Sequence, residues 1–217
     1  MNTAIIICVI ILIGLSLGWV LHHRSVRLMM PILRRLAAEE SGVVKSQNLV
    51  GMPKLLFSYA GTDVEVSSAT TGIDGNSSEY TYILFKGLPL NHFEFRILPR
   101  SIQTIGDEWA GFKKPMAIDV GEIMKRLSIY TTDNRMMEAV LSENVLADLL
   151  FWASGERENR ISDIRNYDSN LIYAVTGRLN EYEDYKLLLA SACRFFDRLN
   201  NFASVSSRLS NESQPLR

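Results

Sequence analysis

Between Ala4 and Leu21 the chain reads AIIICVIILIGLSLGWVL, 18 residues without a charge. At ~1.5 Å per residue such a helix is ~27 Å long, close to the hydrocarbon thickness of a bilayer. Inside lipid every backbone N–H and C=O needs an internal partner, which a helix supplies. The soluble alternative is a buried core helix, but a helix apolar on all sides needs protein on all sides, and this one opens the sequence. Secretory leaders carry a basic n-region and a small-x-small cleavage site. Here Met1, Asn2 and Thr3 precede the run, and Trp19-Val20-Leu21-His22-His23-Arg24 follows with no Ala-x-Ala pattern. Cys8 follows Ile5-Ile6-Ile7, with no small residue before it as a lipoprotein site requires. Residues 1–24 are therefore expected to be an uncleaved transmembrane anchor.

The charges orient that anchor. Positions 1–38 hold Arg24, Arg27, Arg34 and Arg35 and no acid, and all four follow the span. The positive-inside rule then expects the N-terminus outside and the C-terminal bulk in the cytoplasm. Of 23 Lys+Arg and 24 Asp+Glu in the 217 residues, 19 and 24 remain for positions 39–217, a body of about −5 beside a +4 collar. Anionic headgroups attract the collar and repel the body, and Trp19 suits the interface near the cytoplasmic end. Cys8 lies in the span and Cys193 near the other end of the chain, so the two do not pair within one subunit, consistent with a reducing compartment. Asn76-Ser77-Ser78 and Asn211-Glu212-Ser213 match the glycosylation triplet and are the feature that would fit the opposite topology.

After the span, residues 25–42 are expected to form a separate juxtamembrane amphipathic helix with Pro31 in its first turn and Gly42 at its end. Leu28, Ile32 and Leu36 recur every four residues beside Met29 and Leu33, flanked by Arg27, Arg34 and Arg35. Such a helix either lies against lipid headgroups or packs its stripe on the domain that follows.

From Val43 to Pro99 the hydrophobic period becomes two. Leu55, Phe57 and Tyr59 alternate with Lys54, Leu56 and Ser58, and Ala60-Gly61-Thr62 is a turn. Val64 and Val66 flank Glu65. Tyr80, Tyr82 and Leu84 mark another strand, and Phe93, Phe95 and Ile97 alternate with His92, Glu94 and Arg96. This reads as an antiparallel meander with one buried and one wetter face. Leu127–Thr132 reads as a strand, Asp133 or Asn134 and then Ser142 cap two short helices, and Arg160–Arg165 with Leu171–Thr176 form a late hairpin. A final amphipathic helix runs from about Glu181 to Phe202, and residues 203–217 are expected to be a disordered tail. Residues 43–202 thus make a cytoplasmic α+β domain, an antiparallel β-meander with covering helices, a late hairpin and a C-terminal amphipathic helix.

Chemistry is scarce. Adjacent His22 and His23 point in different directions at the membrane edge, and His92 has no Cys or His at ligand spacing. Asp119 and Glu122 could share a helix face without making a metal site. There is no G-x-S-x-G, no G-x-x-x-x-G-K-[ST] and no G-x-G-x-x-G. Cys193 has Arg194 beside it but falls near an apolar helix face, where a packed thiol is the simpler reading. The tyrosines lack interleaved cations, and a net charge of −1 gives no footprint for nucleic acid. No catalytic residue, cofactor or metal is expected. The stretch Gly106–Pro115 stands out. Trp109 and Phe112 could anchor a partner while Lys113 and Lys114 attract an anion or headgroup, or the aromatics could tuck under a sheet edge.

Around the late strand, Ile123-Met124-Lys125-Arg126-Leu127-Ser128-Ile129-Tyr130-Thr131-Thr132-Asp133 resembles a motif of a family of membrane-anchored bacterial proteins built on a domain of unknown function. That motif is roughly F-x-x-x-F-x-V-x-[ST]-x-D, here with aliphatic Ile123 and Leu127 at the two aromatic positions. The resemblance spans roughly residues 80–200. It implies a bacterial inner-membrane setting and an antiparallel α+β domain, and it carries no catalytic residues.

The function expected from these features is a non-enzymatic, membrane-tethered module that binds a protein partner, its other contact being the lipid bilayer. The alternative is a small-molecule or lipid sensor with a pocket between the sheet and the final helix, and an enzyme with scattered site residues comes last.

Overall fold

The structure, a computed structural model, describes residues 2–46, 51–71, 78–88, 93–100, 125–154 and 160–212. Its first element is a single helix, α1 (Asn2–Glu39), ~57 Å long at 1.5 Å per residue. The expected break between anchor and juxtamembrane helix does not occur. Pro31 lies inside α1, where its missing N–H leaves one carbonyl of the preceding turn without its helical donor. Packing offsets that cost on both sides of the proline, because Met29, Leu33 and Leu36 are all buried in the domain. The N-terminal half behaves oppositely: Ile10, Leu12 and Ile13 are each about 60% exposed. α1 is the one helix among the described residues long and apolar enough to cross a membrane, and none of its apolar window is buried against the rest of the chain.

Among the described residues eight strands follow: β1 (Val43–Lys45), β2 (Lys54–Tyr59), β3 (Thr62–Thr71), β4 (Ser78–Lys86), β5 (Phe95–Pro99), β6 (Leu127–Thr131), β7 (Ile161–Tyr167) and β8 (Asn170–Thr176). They form one antiparallel sheet in the order β1-β2-β3-β4-β8-β7-β5-β6. β2, β3 and β4 pair as the expected meander, but its last expected strand, Phe93–Ile97, does not continue it. The late hairpin then inserts between β4 and β5, so β5 never meets the strand that precedes it. Two of the hairpin turns among the described residues are two residues long with positive φ at each position: Ala60 and Gly61 after β2, Asp168 and Ser169 after β7. Such turns match the twist of the strands they join. The second is tighter than the five-residue loop expected from Asn166–Asn170, because Asn166 and Tyr167 extend β7 and pair with Leu171 and Asn170 of β8.

Helices cover one face of the sheet. α2 (Asn134–Val140) is capped by the Asp133 carboxylate, which accepts from the Met136 N–H at 3.0 Å. α3 (Glu143–Ala153) follows, with Ser142 in the cap position but without a side-chain bond. α4 (Tyr182–Glu212) lies across the sheet and continues through most of the expected tail. Between sheet and α4 the aromatic rings interlock. Phe85 stacks on Phe196 at 4.6 Å, Tyr59 meets Phe196 edge-on at 5.8 Å, and Phe95 and Tyr173 meet Phe195. Each such pair contributes about 0.5–1.5 kcal/mol beyond its buried area. Trp152 of α3, fully buried, donates to Ser191 Oγ of α4 at 3.1 Å. The protein is an α+β fold: one antiparallel sheet, helices on one face, and a long apolar helix leading in.

Candidate functional site

Strand alternation sends Leu55, Phe57, Val64, Val66, Ile83 and Phe85 to the helix-covered face. The opposite, outer face receives Leu56 and Glu65, then Tyr82 and Leu84, then Ile172 and Ala174. In an antiparallel sheet with one wetted face these positions should be polar; here Tyr80, Tyr82, Leu84, Ile172, Ala174 and Leu98 make an apolar floor. Tyr80, Tyr82 and Leu84, which open their strand in the sequence, therefore belong to the outer face, and Thr81, Ile83 and Phe85 between them belong to the core. The floor lies in a concavity of about 890 Å³, open on one side and lined further by Arg96, Asp163 and Arg165.

Two ion clusters frame this face. Toward β2, Glu65 is 6% exposed and its carboxylate accepts from Lys54 at 2.7 Å, Lys86 at 2.8 Å and the Tyr82 hydroxyl at 2.8 Å. Burial alone would raise its pKa, but these three donors outweigh it and hold the group at about 2. Toward β5, Arg96 grips Asp163 with two bonds, Nε to Oδ1 at 2.9 Å and Nη2 to Oδ2 at 3.0 Å. Arg165 approaches the same carboxylate at 3.5 Å. That fork-on-carboxylate geometry is the strong form of an ion pair. Glu65 is thus held ionised, which makes it a poor proton acceptor at neutral pH. Among the described residues no group of three His, Cys, Asp or Glu side chains could hold a metal ion.

A second feature joins α1 to the sheet and α4. The Arg35 guanidinium sits 3.6 Å from the centre of the Tyr182 ring. The Tyr182 hydroxyl donates to Glu39, and Lys186 reaches the other oxygen of that carboxylate at 3.2 Å. The bonds from Tyr182 and Lys186 lower the Glu39 pKa. Together with Met29, Leu33 and Leu36 below, this clamp makes the second half of α1 part of the domain.

No protein-family model matches this chain, and no curated protein matches it. The resemblance around residues 123–133 therefore rests on those residues, of which Leu127, Ser128, Ile129 and Tyr130 are buried strand positions of β6.

The expected contact residues Trp109, Phe112, Lys113 and Lys114 lie outside the described residues, as does His92. Their segment connects β5 to β6, and its two ends leave where Pro99 faces Leu127, beside Leu98 of the concavity. Cys193 is partly buried and, by desolvation first, its thiol is pushed up to about 12, which leaves it protonated and unreactive at neutral pH. The space between sheet and α4, where a ligand pocket was expected, is filled by aromatic rings, and the described concavity is on the other face. Arg96, Asp163, Arg165 and Glu65 were legible only as polar alternates. The signal that could have found their site is the apolar residues at wet-face positions on two neighbouring strands, Leu84 and Ile172.

Proposed function

We propose that this protein is a single-pass protein of a bacterial inner membrane, N-terminus outside, whose cytoplasmic α+β domain is a non-enzymatic, membrane-tethered protein-interaction module. The observation that carries the reading is α1 itself. One unbroken helix is exposed and apolar over its first half and, near its C-terminal end, buries the stripe Met29, Leu33 and Leu36 in the domain core. From Leu21 to Met29 the rise is ~12 Å, so the domain is held close to the bilayer by a helix, not a slack linker. Holding a binding face near a membrane raises its effective concentration toward partners in the same membrane. Arg24 and Arg27, exposed just past the apolar run, support the cytoplasmic side by the positive-inside rule. The outer sheet face, concave with an apolar floor, is the contact surface this geometry favours.

A photoreactive residue replacing Leu84 in the full chain, in intact cells, tests the proposal alongside a cytoplasm-active reporter fused at Arg217. Discrete protein adducts from Leu84, absent from a control at Glu183 on α4, are expected, with an active reporter. An inactive reporter overturns the topology, and adducts equal at both positions overturn the interaction surface. A second reading, a small-molecule or lipid sensor, is favoured by the volume of about 890 Å³, which lies in the range of small-molecule sites.

A further inference from the structure

The four arginines that follow the apolar run are not equivalent in the folded protein. Arg35 is engaged internally, with its guanidinium over the Tyr182 ring. Arg24, Arg27 and Arg34 are exposed, and among the described residues none of the three has an ion-pair or hydrogen-bond partner. No acidic residue precedes Glu39 in the chain, so no carboxylate of α1 stands beside Arg24 or Arg27. At ~100° per residue Arg27 lies ~60° round the helix from Arg24, whereas the buried Met29, Leu33 and Leu36 lie ~120–180° from Arg24. The two cations therefore share a face turned away from the domain.

Height above the bilayer separates this pair from Arg34. The rise from Leu21 is ~4.5 Å to Arg24, ~9 Å to Arg27 and ~20 Å to Arg34. Headgroups add roughly 5–8 Å outside the hydrocarbon. Helical side chains lean toward the N-terminus, here the lipid side, so Arg24 and Arg27 reach back into the headgroup layer. At the ~20° tilt usual for a spanning helix, Arg34 still stands ~10 Å beyond that layer, farther than the Debye length of ~8 Å at physiological salt. Nor does α1 bend to lay Arg34 on the surface: it is unbroken from Asn2 to Glu39, and Met29, Leu33 and Leu36 fix its far end in the core.

We infer that Arg24 and Arg27 form a binding site for the phosphate of an anionic phospholipid, and that Arg34, exposed on the same side, takes no part. The inference rests on the reading of residues 4–21 as a membrane span. Two guanidiniums one turn apart, without a neighbouring carboxylate, sit at the depth where lipid phosphates lie. Phosphatidylcholine brings its own cation beside the phosphate, so a headgroup without one, such as phosphatidylglycerol, is preferred. The domain itself, with 24 acidic and 19 basic side chains over residues 39–217, is repelled by the same lipid, which confines the contact to α1.

The experiment uses the full chain in phosphatidylcholine vesicles that contain dibrominated phosphatidylglycerol or dibrominated phosphatidylcholine as quencher. Trp19 is 51% exposed and ~7.5 Å from Arg24 along the helix, so the emission lost in Trp19→Phe isolates a reporter beside the site. At about fivefold per arginine near the surface, phosphatidylglycerol should bind roughly 25-fold more tightly than phosphatidylcholine at low salt, an advantage that shrinks between 50 and 500 mM NaCl. Arg24→Gln and Arg27→Gln, both at exposed positions, should each lower it about fivefold, and Arg34→Gln should leave it unchanged. A preference below about twofold, or one that salt does not reduce, overturns the site. A preference that Arg24→Gln or Arg27→Gln fails to lower, or that Arg34→Gln lowers equally, overturns the assignment of its residues. Failure of the native chain to float with phosphatidylcholine vesicles in a sucrose gradient overturns the membrane span, and the lipid site with it; a chain that floats without preference overturns the lipid site alone.

Discussion

Replacing Glu65 by Gln removes the one charge toward which Lys54, Lys86 and Tyr82 converge, and keeps the side-chain shape. In the folded protein this carboxyl titrates at about 2 against an ordinary value of 4.5. A depression of that size corresponds to about 3 kcal/mol of stability at neutral pH, at 1.36 kcal/mol for each factor of ten in the proton equilibrium. Lys54 and Lys86 remain 25% and 45% exposed and can rehydrate after the substitution, so a loss of about 2–3 kcal/mol is expected. The sign follows from the lowered value. The contribution is complete above pH 4.5 and is lost as pH falls through 2. By linkage it is about 1.4 kcal/mol at pH 3 and a few tenths at pH 2. Urea unfolding of the full chain in nonionic detergent micelles, followed by near-UV circular dichroism at pH 7, 4 and 3, measures the gap between native and variant proteins. A gap that narrows by at least half from pH 7 to pH 3 is expected. A gap that stays constant over that range, or never exceeds 0.5 kcal/mol, refutes the reasoning.

Other outcomes follow from the same packing. Leu33→Ala, in the docked half of α1 and fully buried, should cost about 2–5 kcal/mol in the same unfolding assay, while Leu28→Ala, mostly exposed, should stay within about 0.5 kcal/mol. Gly42→Ala should destabilise by about 1–3 kcal/mol, because a Cβ there would meet the Leu56 carbonyl oxygen and Leu55 Cδ1 at 2.8 Å and backbone cannot yield cheaply. Asp133→Ala should lose about 1 kcal/mol with the cap bond to Met136, whereas Ser142→Ala, which makes no such bond, should lose far less. Maleimide labelling at pH 7 should leave Cys193 unmodified in the folded chain and modify it in urea, since burial holds its thiol near 12.

Much of the fold was legible because it depends on local patterning. The period-two runs at Leu55–Tyr59 and Phe93–Ile97 placed their apolar residues on the buried side, and Asp133 announced the helix it caps. Two kinds of feature escaped. Pro31 looked like a helix start because a proline is cheapest there, yet burial of Met29 and Leu33 on either side tolerates it in mid-helix. Tyr80, Tyr82 and Leu84 marked a strand without saying which face they would take, and the core took Thr81, Ile83 and Phe85 between them. Thr81 could go inside because Ser68 Oγ lies 3.3 Å from its hydroxyl, the Gly177 carbonyl accepts from that hydroxyl, and the Leu179 N–H donates to it.

What the amino-acid order determined unaided is whatever neighbours along the chain can decide. This includes an apolar rod of bilayer length, the arginines on one side of it, the strand and helix periods, and the α+β composition. Strand order, the insertion of β7 and β8 beside β4, and the pairing of Glu65 and Asp163 with distant lysines and arginines depended on contacts between residues tens of positions apart. Those contacts form only where whole faces bury together, and a period-two pattern says that a face exists without saying what will lie against it. For that reason the long apolar helix could be read at sight, whereas the charged concave face on the far side of the sheet came into view only with the tertiary structure.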